Sequence, residues 1–82
     1  MSTVISNEEA ARQLGANLTR ILQKREMSVR GLAAETGEDP TQISRYTRGK
    51  SLPGLAVAAR IAEALDVSID ALLRPSANSQ SN

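Results

Sequence analysis

Hydrophobic residues recur three and four positions apart along most of the chain, which is the spacing of one face of an α-helix. A first helix is predicted over roughly residues 8–25, where Ser6 and Glu9 have the spacing of a capping box. Gly15 lowers the helix propensity of this segment a little. Its predicted inward positions are Ala11, Leu14, Leu18, Ile21 and Leu22. The alternation typical of strands is absent from the sequence, so the pattern predicts an all-α fold.

Two short helices joined by a tight turn are predicted between residues 28 and 50. Ser28 can cap the first of them, and Gly37 suits the left-handed conformation that commonly ends a helix. Asp39 offers a second N-cap, and Gln42 follows it at capping-box spacing. Pro40 fits the first position of the second helix, where its missing N–H costs nothing.

The spacing of Ala33, Gly37 and Ile43 suits two helices that cross closely. A small residue allows the approach, a glycine makes the turn, and an aliphatic side chain fills the crossing. Ile43 and Tyr46 give the second helix a buried face, and Tyr46 is interpreted as core rather than as a platform for stacking. Gly49 is placed to end this helix.

Two further helices are predicted after a loop that contains Pro53. One covers about residues 54–65, and Ser68 opens a last helix that ends at Leu73. The inward positions expected in the longer one are Leu55, Ala58, Ile61, Ala62 and Leu65. With 82 residues, one small domain is expected. We assign it to residues 8–75, with a flexible segment at 1–7 and a disordered polar tail at 76–82.

Composition narrows the chemistry available to the chain. Tyr46 is the only aromatic residue, so the core must be aliphatic. The absence of Cys and His excludes disulfides, thiol catalysis and the usual zinc sites, and no metal or cofactor is expected. A glycine-rich phosphate loop is also missing, so we expect no enzyme. No signal peptide or membrane-spanning run is found, which predicts a cytoplasmic protein.

Charge is distributed unevenly although the net charge is only +1. Residues 20–30 form a first basic group, which contains one acid, Glu26. Residues 40–62 contain no acid and four cations: Arg45, Arg48, Lys50 and Arg60. A basic face on a nearly neutral protein can bind phosphate without binding every polyanion. The alternative is that mixed charges only solubilise the helix surfaces.

From about Leu14 to Pro75 the ordered set of features resembles the lambda-type phage repressor and Cro family of helix-turn-helix domains, also called XRE-like. The matching runs are LGANLTRILQKREMSVRGLAAETG, ISRYTRGKSLP and IAEALDVSIDALL. The resemblance implies a compact bundle of five helices that binds double-stranded DNA in a sequence-specific way. It also implies a bacterial or phage transcriptional regulator, a repressor by our interpretation, that acts as a homodimer on a two-fold operator.

The resemblance makes residues 40–48 the recognition helix. The residues that it implies for base reading are Pro40, Thr41, Gln42, Ser44 and Arg45. Arg45 is the strongest candidate, because a guanidinium can bond guanine O6 and N7 together; a phosphate contact alone is the alternative. The groups implied for phosphate binding are the backbone N–H at Val29 and the side chains of Arg30, Arg48 and Lys50.

The chain departs from the family at several of these positions. Many members have Gln in place of Val29, and many have an Arg–Glu ion pair in place of Leu22 and Thr47. Since both partners of the pair are absent, the exchange is expected to be neutral at the joint of the first and third helices. Pro40 removes a side-chain donor, so no relative's operator can be transferred. Glu38 either points away from DNA or discourages binding to wrong sequences.

Other classes of function stay open at this point. An antitoxin or a protein-interaction module with weak or no DNA binding is the main alternative, and nothing indicates a small-molecule ligand. In relatives the dimer surface often uses the final helix, here Ile69, Leu72 and Leu73. The alternative for at least Ile69 and Leu72 is that they close the core.

Overall fold

The computed structural model describes residues 5–75, and within that range it contains five helices and no strand. The helices are α1 Asn7–Lys24, α2 Val29–Thr36, α3 Pro40–Thr47, α4 Leu55–Leu65 and α5 Ile69–Leu73. The predicted all-α, five-helix fold is confirmed, with helix bounds that differ from the predicted ones by one residue or less. The predicted tail at 76–82, and residues 1–4 of the predicted flexible segment, lie outside the described residues.

Polar side chains start four of the five helices. Ser6, Ser28 and Ser68 each accept a hydrogen bond from the backbone N–H three residues on, at 2.9 to 3.1 Å. Asp39 accepts from the N–H of Thr41 at 3.0 Å, two residues on rather than the three of a capping box. Each bond satisfies a donor that the helix itself leaves free, so these short polar signals fix where the elements begin.

One aliphatic core lies at the centre of the described residues. α1 packs against α3 and α5, α2 packs against α3 and α4, and α4 packs against α5. Tyr46 is only 5% exposed and joins this core, as predicted. The large hydrophobic side chains that are fully buried are Leu14, Leu18, Leu32, Ile43, Ile61, Leu65 and Leu72.

The prediction that Leu55 faces inward is wrong. Its side chain is 77% exposed, at the first position of α4 directly after the N-cap Gly54. Periodicity assigns a residue to a face of a helix, but it does not say how far the neighbouring helices extend along that face. Leu55 lies at the edge of an apolar groove between α1, α4 and α5, with Leu52 and Leu73 beside it.

Two residues of α1 make interhelical contacts that the hydrophobic pattern does not indicate. An added Cβ at Gly15 would lie 2.8 Å from the backbone nitrogen of Gly49 and 2.9 Å from the carbonyl oxygen of Tyr46. Asn17 is fully buried, and its Nδ2 donates to the carbonyl oxygens of Leu72 at 2.9 Å and Arg74 at 2.8 Å. Gly15 therefore sets the approach of α3, and Asn17 holds the end of α5.

Candidate nucleic-acid interface

The turn between α2 and α3 determines how α3 is presented. Gly37 has a φ of +77°, and nothing lies within 4 Å of a Cβ added there, so its backbone conformation, not space, favours glycine. The N–H groups of Gly37 and Glu38 both donate to the carbonyl oxygen of Ala33, at 2.8 and 3.0 Å. The bond from Glu38 is the 6→1 bond of a Schellman motif, and the bond from Gly37 is the 5→1 bond of an αL cap. Together they close α2 two residues before Pro40.

α3 has one buried face and one exposed face. Ile43 is completely buried and Tyr46 nearly so. The structure gathers the predicted base-reading residues on the remaining surface, with Pro40, Thr41, Gln42 and Arg45 exposed and Ser44 half-buried. Three of them form the first turn of α3 and the other two begin the next turn. Their role in base reading stays a prediction.

The predicted phosphate-binding residues lie at the ends of α2 and α3. Arg30 is exposed in the first turn of α2, whereas Val29 is half-buried against the core. Arg48 is the C-cap of α3, and the N–H of Lys50 donates to the carbonyl oxygen of Arg45 at 3.0 Å. Because Gly49 has a φ of +70°, the chain turns sharply between the two cations.

Ion pairs in the part of the chain that the structure describes are few. Only Arg60 with Glu38, at 2.8 Å, and Arg74 with Asp70, at 3.1 Å, bring opposite charges within 4.0 Å of each other. The cations at the ends of α2 and α3 and on the exposed face of α3 thus have no carboxylate partner among residues 5–75. Unpaired cations are available to an anionic ligand without the loss of an existing bond.

Glu38 in the turn before α3 pairs with Arg60 of α4, at 2.8 Å. Its charge is offset by a guanidinium on a neighbouring helix. Burial, and then the negative charge of Glu38, raise the pKa of the Tyr46 hydroxyl above its ordinary value.

The joint between α1 and α3 contains neutral contacts. Leu22 is buried and Thr47 is half-buried there. The Thr47 hydroxyl donates to the carbonyl oxygen of Ser44 at 2.7 Å, and the Thr19 hydroxyl donates to the carbonyl oxygen of Thr47 at 3.3 Å. Both threonine hydroxyls have partners, and the position that holds an ion pair in many relatives contains no stranded charge.

Sequence reasoning missed Gly15 and Asn17 as parts of the support for α3 and α5. A signal was present for Gly15, since glycine in the middle of a helix costs about 1 kcal/mol relative to alanine and calls for a packing reason. The sequence gives a weaker signal for the structural role of Asn17, because an asparagine on a predicted helix is ordinarily exposed.

Within residues 5–75, no group of three or more His, Cys, Asp or Glu side chains is placed to hold a metal ion. None of the five described helices combines the length and the apolar character that crossing a membrane requires.

Comparison with known proteins gives one family and several similar structures. The model of the HTH_3 family, described as helix-turn-helix, matches residues 18–72, which is more than half of the chain. No curated protein matches the sequence. The fold is similar to that of an HTH_3 family transcriptional regulator from Vibrio cholerae, with 25% identity and a TM-score of 0.76. That match covers 82% of this chain and 38% of the Vibrio cholerae chain, so this chain spans less than half of that relative.

Two further structures match over nearly their whole lengths. The clp gene regulator ClgR from C. glutamicum is 25% identical, with a TM-score of 0.75, over 88% of this chain and 94% of that one. The restriction-modification controller protein C.AhdI from Aeromonas hydrophila is 24% identical, with a TM-score of 0.72, over 76% and 94% of the two chains. At that identity, the likeness to C.AhdI concerns the fold alone.

Proposed function

Because the chain belongs to the HTH_3 family of helix-turn-helix proteins, we propose that it is a DNA-binding transcriptional regulator. In this proposal it is a cytoplasmic repressor that acts as a homodimer on a two-fold operator in bacterial or phage DNA. The observation that carries the proposal is the exposed polar face of α3, flanked by cations that have no carboxylate partner among the described residues.

The first turn of α3 is the part that enters the major groove. Ile43 and Tyr46 anchor the helix in the core, so Pro40, Thr41 and Gln42 are presented by a rigid element. Arg45 follows on the same exposed surface and is assigned to guanine O6 and N7, a pairing that discriminates by about 1–3 kcal/mol. Ser44 is half-buried, and we assign it a contact by its hydroxyl at the edge of the groove.

Phosphate contacts hold the helix in register. At the start of α2 the Ser28 hydroxyl accepts a hydrogen bond from the N–H of Gly31. The N–H groups of Val29 and Arg30 are therefore free to donate to a phosphate oxygen. The side chains of Arg30, Arg48 and Lys50 supply charge on either side of α3. These contacts position the protein and contribute affinity that depends on salt, but they read no sequence.

Dimerisation is assigned to the apolar groove between α1, α4 and α5. Leu72 is completely buried and serves the core, so of the predicted dimer residues Leu73 is the exposed one. Leu52, Leu55 and Leu73 are 37%, 77% and 38% exposed and border the same groove. Covering them with a second copy would remove a contiguous apolar surface from water. Leu55→Glu is then expected to shift the protein to monomer in sedimentation velocity experiments.

Repression follows from occupancy of the operator. A dimer places two α3 helices in successive major grooves about one helical turn apart, where it competes with polymerase for the site. The selection of bound sequences from a random duplex library tests this proposal. A motif with two-fold symmetry would support it. Retention without any motif, lost on adding salt, would contradict it and favour the protein-interaction module considered as the alternative.

Arg45→Ala tests the assignment within α3. We expect the variant to lose base preference at one position of each half-site, by about 1–3 kcal/mol, because one bidentate contact is removed. The matched variant Lys50→Ala should weaken binding to all sequences alike and lower the salt slope by about one. Uniform weakening by Arg45→Ala would reassign that side chain to phosphate. Both variants alter exposed side chains, so their thermal unfolding should match that of the wild type.

A further inference from the structure

An open cleft of about 640 Å³ separates the first turns of α1 from the segment that follows α3. Its walls include Asn7, Glu8 and Arg12 on one side and Arg48, Lys50 and Ser51 on the other. Three cations therefore face one cleft with a single carboxylate, Glu8. None of the three lies within 4.0 Å of a carboxylate oxygen among residues 5–75.

The backbone fixes Arg12 beside this segment. A Cβ added to Gly49 would lie 3.4 Å from the Cα of Arg12, so the backbones of the two segments are in close contact at Arg12. The contact of Gly15 with the backbone of Gly49 lies one turn further along the same helix. Arg12 is consequently presented next to Arg48 and Lys50 by two rigid contacts, although it is 36 residues before Arg48 in the chain.

A second observation comes from Ser51. Its Oγ is buried at the wall of the cleft and has no hydrogen-bond partner in the described part of the chain. Buried hydroxyls are almost always bonded, so an orphan of this kind calls for an explanation, and a water or an ion is one. Three cations beside a free hydroxyl form a set of donors that suits a phosphate group.

We propose that Arg12, together with Arg48 and Lys50, binds a backbone phosphate of DNA in this cleft. The DNA contact then extends beyond the α2–α3 unit onto the N-terminal half of α1. The inference rests on the proposed function and adds Arg12 to the residues that the resemblance implies for phosphate binding. Glu8 opposes the phosphate and limits the affinity of the cleft.

Binding to a labelled duplex of mixed sequence, followed by fluorescence anisotropy between about 50 and 200 mM salt, tests the inference, since phosphate contacts need no particular sequence. Arg12→Gln is expected to weaken binding about fivefold at physiological salt and to lower the salt slope by about one per protomer. Arg12→Lys should keep the slope, and Glu8→Gln should tighten binding. Ser51→Ala should weaken binding with the slope unchanged, because a neutral donor is lost.

Arg74→Gln is the matched control, because it removes one positive charge from the end of α5 and does not touch the cleft. If Arg12→Gln behaves like Arg74→Gln while Lys50→Gln lowers the slope, the inference is overturned and the proposed function stands. If the wild-type protein shows no salt-dependent binding to the duplex, both fail. Circular dichroism of each variant verifies the fold. A salt slope that is lowered in Arg12→Gln but not in Arg74→Gln supports the proposal.

Discussion

Two residues of α1 that are two positions apart join that helix to different parts of the molecule in opposite ways. Gly15 allows α3 to approach because it has no side chain, and the backbone of α3 fills the space. Asn17 holds α5 because it has a polar side chain, which bonds two carbonyl oxygens inside the core. The contact at Gly15 depends on shape, and the contact at Asn17 depends on hydrogen bonding.

The difference shows how each joint should fail. A joint made by close approach responds to added volume, which must displace a backbone. A joint made by buried hydrogen bonds responds to a change in donors, even where volume is unchanged. The α3 joint positions the proposed DNA-binding helix, whereas the α5 joint closes the core, so damage to the two should also differ in its effect on DNA binding.

Asn17→Asp should have the largest effect. The substitution keeps the size of the side chain but replaces the amide nitrogen that donates to two carbonyl oxygens with a carboxylate oxygen that repels them. The other oxygen keeps its bond from the Arg20 guanidinium, at 3.2 Å. We expect a loss of about 3 kcal/mol in the free energy of unfolding, measured by urea denaturation. Asn7→Asp is the matched control, since it makes the same change at the exposed start of α1, where a negative charge is favourable. Equal effects at the two sites would contradict the role of Asn17.

Gly15→Ala should cause the next largest loss in the free energy of unfolding, about 2 kcal/mol. The new methyl group would lie within 3.0 Å of three backbone atoms of residues 46–49, so α3 must shift away from α1, and the usual gain in helix propensity is outweighed. DNA binding should weaken as well. Gly31→Ala is the control, because its methyl group would meet only side-chain atoms, at 3.3 Å and beyond. An unchanged or raised melting temperature for Gly15→Ala would refute the close approach.

Thr19→Val examines the same α1–α3 joint through its hydrogen bond. The bond from the Thr19 hydroxyl to the carbonyl oxygen of Thr47 is long, at 3.3 Å, and exposed to solvent. Its loss should cost no more than about 0.5 kcal/mol. A loss in urea denaturation as large as that of Gly15→Ala would show that this joint depends on polar contacts after all.

Tyr46→Phe should have the smallest effect on the free energy of unfolding, and this effect should occur only at alkaline pH. Burial, with the charge of Glu38, raises the pKa of its hydroxyl, so the folded state favours the neutral phenol. The resulting stability is fully present below the ordinary pKa of 10.0 and is lost as the pH rises through the raised value in the folded state. Urea denaturation of wild type and Tyr46→Phe from neutral pH to above pH 10 should show a steeper decline for the wild type.

Local signals made much of the fold predictable. The caps Ser6, Ser28 and Ser68 act over three residues, and Gly37 acts through its own φ, so each can be recognised without knowledge of the neighbouring helices. The face of α1 followed from periodicity in the same way. Such signals need no tertiary information, and they account for the agreement in helix bounds.

The errors and omissions concern contacts between distant segments. Leu55 was placed on the right helix, but its exposure depends on where α1 and α5 end. Asn17 and Arg12 gain their roles from residues more than 30 positions away, and nothing in their own neighbourhood indicates those partners. For the candidate site, the exposed face of α3 was predictable, whereas the cleft beside it required the packing of α1.

The two protons on Nδ2 of Asn17 give the domain an internal reporter. Each is bonded to a different carbonyl oxygen, and the side chain has no exposed surface, so neither proton can exchange with solvent until α5 separates from α1. In a nuclear magnetic resonance spectrum they should give a resolved, slowly exchanging pair. Their exchange rate, compared with that of the backbone amides of α1, would show whether α5 opens by itself or only when the whole domain unfolds.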